Sequence, residues 1–237
     1  MRPFLTMIGM LFVSVVLTRF LPFRDYFRNL GTMVHEWAHA VMALVLSGTV
    51  YEIRLFADLS GVTMTSVDVG WKSALVGLAG YCGTSLFALF MFWTIARGRI
   101  GYGYLAILAV GVSSLIFVRN AYGLIWVLVF LVLTFMMWRR AGQFLHQAYY
   151  WFLSFLLLED SVYSALTVLL IALLDPRHAG DATNLARRAF LPAVFWGALF
   201  AAWAVVCALI ALRMFLRHAD TIAAHTARGA SGKATLS

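Results

Sequence analysis

Apolar residues run in long blocks separated by short polar connections, and the blocks set the expected architecture. Seven can be drawn, at about 4–22, 31–48, 73–96, 101–118, 121–138, 149–174 and 190–216. Most are near the ~20 residues a helix needs to cross the ~30 Å hydrocarbon core of a bilayer. The ~10-residue alternating strands of a membrane β-barrel are absent. The pattern predicts an all-α polytopic membrane protein with about six to seven transmembrane helices. One stretch breaks the helical period. From Val50 to Ser66, Tyr51, Ile53 and Leu55 alternate with Glu52, Arg54 and Phe56, Asp58-Leu59-Ser60-Gly61 offers a turn, and alternation resumes at Val62-Thr63-Met64-Thr65. That predicts a small β-hairpin after the second helix, whose Tyr51, Ile53 and Leu55 strand could offer an edge to an extended substrate.

Composition agrees with the membrane assignment. Of 237 residues, 63% are hydrophobic and 12% charged, against about a quarter charged in soluble domains. The net charge of +8 comes from basic residues scattered between apolar blocks, a pattern that suits lipid headgroups and excludes a nucleic-acid partner. Cys82 and Cys207 lie in different blocks with no metal-type spacing and read as packing residues. Arg2 followed by an apolar run resembles an export signal, but no small-x-small cleavage site follows and Arg19 interrupts its end, so an uncleaved first helix is expected. Residues 1–216 read as one integral membrane domain and 217–237 as a disordered tail. With seven spans, the side that collects Arg97, Arg99, Arg139 and Arg140 carries more Lys and Arg and is expected to be cytoplasmic.

The candidate chemistry lies in the second block. His35-Glu36-Trp37-Ala38-His39 puts two imidazoles and a carboxylate in an apolar helix, where they are costly without a use. On a helix His35 and His39 fall about 40° apart on one face, so both can grip one Zn²⁺ while Glu36 takes a proton from the attacking water. A catalytic zinc usually takes a third protein ligand. Glu159-Asp160 interrupts an apolar run near mid-membrane, at a depth similar to His35, which makes Asp160 the first choice. Asp181 is the alternative, with a competing reading as a helix N-cap. The glycines Gly77, Gly80 and Gly83 are expected to allow close helix packing.

The chain resembles the M50 family of membrane metallopeptidases, the site-2-protease class, in its M50B-like branch. The resemblance rests on Val34 to Ala40 with the small-residue run to Gly48, the extended Tyr51 to Thr65, Leu78 to Gly83, and Gly180 to Ala186 with Leu191-Pro192 and Trp196, over about Met33 to Phe200. It implies a zinc peptidase within the membrane, with His35 and His39 as ligands and Glu36 as general base, cleaving a membrane-protein substrate near the cytoplasmic face. The better-known members carry the third ligand in Asn-Pro-Asp-Gly or Leu-Asp-Gly, where this chain has Glu159-Asp160-Ser161. Two rival readings are a non-catalytic adaptor or chaperone of the same fold and a proton- or cation-coupled transporter.

Overall fold

The computed structural model describes residues 24–188 and 191–234, with isolated positions before residue 24. The first apolar block, and with it the expected uncleaved helix, lies outside these residues. The described elements are α1 (Arg24–Val45), β1 (Thr49–Leu55), β2 (Gly61–Ser66), α2 (Trp71–Ala96), α3 (Ile100–Leu115), α4 (Ala121–Arg139), α5 (Gln143–Leu174), α6 (Asp181–Arg188) and α7 (Ala193–Ala234). The chain is thus mostly helical with one small antiparallel sheet. The segment expected as a tail continues α7 to Ala234.

Among the described residues, four helices are long and apolar enough to cross a membrane: α2, α4, α5 and the Ala193–Ala219 part of α7. They make this an integral membrane protein. Two expected spans do not reach that standard, for separate reasons. Helix α3 has 16 residues, and α1 carries Arg24, Asp25 and Arg28 as well as the His-Glu-His set.

Local chemistry explains the helix ends. After α2, Gly98 adopts φ 63°, and the Gly98 and Arg99 N–H groups donate to the carbonyls of Ile95 (2.9 Å) and Thr94 (2.8 Å). This is the paired bonding of a Schellman termination. Ser47, at φ 60°, ends α1 in the same way, with Gly48 N–H on the Ala43 carbonyl at 2.8 Å.

The β-hairpin forms as the alternation predicts. Its strands pair antiparallel from Thr49↔Ser66 to Leu55↔Gly61, with an irregularity between Val50 and Glu52. Asp58 closes the turn by accepting from the Ser60 N–H (3.0 Å) and hydroxyl (2.6 Å). The hairpin folds back along α1, so that the Thr32 hydroxyl donates to the Leu59 carbonyl at 2.9 Å.

Its two edges differ. The outer edge of β1 is occupied: Ile53 N–H donates to Phe117 O (2.8 Å), Arg119 N–H donates to Ile53 O (3.1 Å), and the Asn120 side-chain amide bonds both backbone groups of Leu55. Because the Ile53 N–H and C=O point away from β2, its partner Thr63 points its own N–H and C=O away from β1. Among the described residues, the outer edge of β2 has no backbone partner.

A second buried cluster seats α6. Ala165, Ala172, Ala179, Ala182 and Ala204 let α5, α6 and α7 approach closely around Leu185 and Phe200. Leu185 rests on Gly77 of α2, where an added Cβ would meet its side chain at 3.1 Å.

Candidate active site

The site forms where α1, α2, α6 and the hairpin meet. On α1, the i, i+4 spacing brings His35 Nε2 and His39 Nε2 to 3.0 Å. The first residue of α6 completes a triangle, with Asp181 Oδ2 at 3.1 Å from each imidazole nitrogen. These are the described His, Cys, Asp and Glu side chains whose ligand atoms lie close enough to share an ion. Burial works against ionisation of Asp181, yet the adjoining His39 and His35 rings hold its carboxyl well below the usual carboxylate range.

Each side chain of the triangle is held from behind. His39 Nδ1 lies 2.6 Å from the Val76 carbonyl. A carbonyl only accepts, so Nδ1 carries a proton and Nε2 is the nitrogen turned to the site, free to bind a metal once it is deprotonated. The His35 ring packs edge-on against Tyr81 at 4.6 Å, and Tyr81 stacks on Phe200 at 4.6 Å. Asp181 is placed by the loop before it, where the Thr183 hydroxyl donates to Pro176 O and accepts from the Ala179 N–H, both at 2.9 Å.

The glycine series along α2 is the bed of the site. Gly80 lies against both imidazoles, and a Cβ there would overlap His39 Nε2 and fall 2.5 Å from His35 Nε2. Gly83 takes Ala38, and Gly77 takes Leu185 of the helix that carries Asp181. The packing role read from sequence is present, and it also makes room for the histidines.

Glu36 is 6% exposed. Its Oε2 accepts from the Thr63 hydroxyl at 2.6 Å, while Oε1 lies over Gly61, whose added Cβ would be 2.5 Å away. Sequence reasoning passed over Thr63, Gly61 and Tyr81. The signal for Thr63 was its inward register in the predicted hairpin.

Asp160, the first choice for third ligand, is not joined to the histidines. Its Oδ1 pairs with Arg28, at 3.3 Å from Nη2 and 3.4 Å from Nε. Arg28 precedes His35 by seven residues of α1, about 10 Å at 1.5 Å per residue. The depth estimate failed because α1 begins at Arg24, so His35 is the twelfth of its 22 residues and not in its first turns. Level with the histidines, Gly80 lies nine residues from Trp71 and sixteen from Ala96. The site is therefore nearer the hairpin face than the face of Arg97, Arg99, Arg139 and Arg140. Glu159 likewise takes no part in the triangle.

The Tyr51, Ile53, Leu55 edge is also revised. Ile53 and Leu55 are fully buried and their backbone is taken by residues 117–120, whereas Gly61, Thr63 and Thr65 of β2 line the cleft. That cleft, about 500 Å³, also reaches Asp160 and Arg188.

A helix-borne His-Glu-x-x-His, closed by an aspartate and set among apolar helices, is the arrangement expected of a membrane metallopeptidase. The chain belongs to the Peptidase M50B-like family, which it matches over residues 6–211. No curated protein and no solved structure matches it.

Proposed function

We propose that the protein is a zinc-dependent intramembrane endopeptidase that cleaves transmembrane segments of membrane proteins. The observation that carries this reading is the 3.0–3.1 Å triangle of His35 Nε2, His39 Nε2 and Asp181 Oδ2 with Glu36 beside it. The donor set fits Zn²⁺, which binds imidazole nitrogen and carboxylate oxygen and keeps a fourth position open in catalytic sites. Ligand atoms about 2.0–2.1 Å from a shared tetrahedral ion lie ~3.3 Å apart, close to the spacing here. When bound, Zn²⁺ supplies Lewis acidity that polarises a carbonyl and acidifies a water.

The chain's own residues do the rest. The Thr63 hydroxyl fixes the Glu36 carboxylate, which accepts the proton of the attacking water and returns it to the leaving amine. Tyr81 and Val76 hold the two imidazoles in orientation. The free Thr63 N–H and C=O offer an extended substrate backbone pairing along β2, across the residue that holds the general base. A substrate helix must unwind to pair in this way, so helix-breaking residues in the substrate favour cleavage.

The test is cleavage of a single-span reporter in proteoliposomes. The wild type is expected to cleave it, with loss of activity under a zinc chelator and in Glu36→Gln. Undiminished cleavage by Glu36→Gln would overturn the mechanism.

A further inference from the structure

A second concave feature lies at the other end of the bundle. Between the start of α3 and the end of α4 runs a groove of about 290 Å³, lined by Arg99, Gly101, Tyr102, Leu105 and Trp138. Its walls are apolar and open outward: Tyr102 is 56% and Leu105 50% exposed. Gly101 has nothing within 4 Å of where a Cβ would stand, which leaves the space beside the α3 backbone free. Trp138 is a fixed wall, since it stacks on the fully buried Tyr104 with centroids 6.0 Å apart and planes 9° from parallel.

Arg99 lines this apolar slot, and Arg139 stacks on its Trp138 wall. The Arg99 guanidinium lies 6.0 Å from the Tyr102 ring centroid and that of Arg139 lies 5.7 Å from Trp138. Arg97 is placed the same way on Trp93, at 5.8 Å. Stacking on aromatic faces restricts these long side chains in advance of any ligand. The ion pairs among the described residues involve Arg28, Arg54, Lys72 and three histidines. Arg97, Arg99, Arg139 and Arg140 have no carboxylate partner among them.

We infer that this groove is a binding site for one anionic phospholipid, with the headgroup phosphate on Arg99 and Arg139 and an acyl chain between Tyr102, Leu105 and Trp138. Each half of the site accounts for one half of that molecule. Inorganic phosphate would satisfy the arginines and leave the slot empty. A zwitterionic lipid would fill the slot but bring a headgroup cation towards the arginines. An anionic lipid matches both, and once seated it ties the α2–α3 turn to the end of α4.

Native mass spectrometry of the full chain in detergent tests this with phosphatidylglycerol, phosphatidylcholine and inorganic phosphate as probes. One phosphatidylglycerol per chain is expected to be retained at roughly tenfold preference over phosphatidylcholine. Arg99→Gln with Arg139→Gln is expected to remove the preference. Leu105→Trp, which fills the groove and keeps both arginines, is expected to weaken retention of phosphatidylglycerol. Metal content and melting temperature, read in parallel, are expected to stay at wild-type values in both variants, which excludes misfolding as the cause. Equal retention of the two lipids, unchanged phosphatidylglycerol binding in either variant, or displacement of the lipid by inorganic phosphate would each overturn the assignment.

Discussion

His39 Nδ1 donates to the Val76 carbonyl at 2.6 Å, and that bond decides which nitrogen of His39 faces His35 and Asp181. The backbone of α2 thereby sets the tautomer of a side chain on α1. It can do so because Gly77 and Gly80, which follow Val76 on α2, allow the neighbouring elements this close.

The glycine contacts separate metal binding from catalysis. Gly80→Ala drives a methyl group into both imidazoles, and is expected to abolish metal retention while helix content by circular dichroism stays unchanged. Gly61→Ala crowds Glu36 instead, with an added Cβ 2.5 Å from Oε1 and 2.7 Å from Cγ. It is expected to lower the cleavage rate and leave metal content at the wild-type value. The same metal content in both variants would show that Gly80 has no part in shaping the ligand set.

Thr63→Val keeps the shape of the side chain and removes the 2.6 Å hydrogen bond to Glu36. Loss of a charge-assisted hydrogen bond of about 1.5–3 kcal/mol corresponds to a fall in kcat of roughly ten- to a hundredfold. Metal content should not change. A kcat within twofold of wild type would mean that Glu36 does not depend on the hairpin for its position.

Thr65, like Thr63, turns its N–H and C=O to the open edge of β2. Thr65→Pro removes an N–H from the open edge while leaving the Thr63–Glu36 contact in place, and is expected to raise KM for an extended substrate at least tenfold. Met64→Pro removes an N–H that faces β1 and should destabilise the hairpin itself, seen as a lower melting temperature. Equal KM values for Thr65→Pro and wild type would argue against strand addition.

Two parts of this site could be read locally and two could not. His35, Glu36 and His39 were legible because their relation depends on helix periodicity alone. The hairpin was legible because Tyr51 to Thr65 alternates around an Asp58 turn. The meeting of Asp181 with the histidines was not legible from depth, since Arg24, Asp25 and Arg28 hide the first turn and more of α1 within what reads as a polar connection. The position of Asp181 depends on α6 docking through Leu185 onto Gly77, a contact between residues far apart in sequence. The open edge was misassigned for the same reason: Phe117 to Asn120, more than fifty residues downstream, cover β1 and leave β2 free.

The central claim is that His35, His39 and Asp181 hold one Zn²⁺, while Asp160 belongs to an ion pair with Arg28. Elemental analysis of purified protein tests it by comparing wild type, Asp181→Ala and Asp160→Asn. The account predicts about one zinc per chain in wild type and in Asp160→Asn, and less than about a tenth of that in Asp181→Ala. Full zinc in Asp181→Ala, with loss in Asp160→Asn, would contradict it.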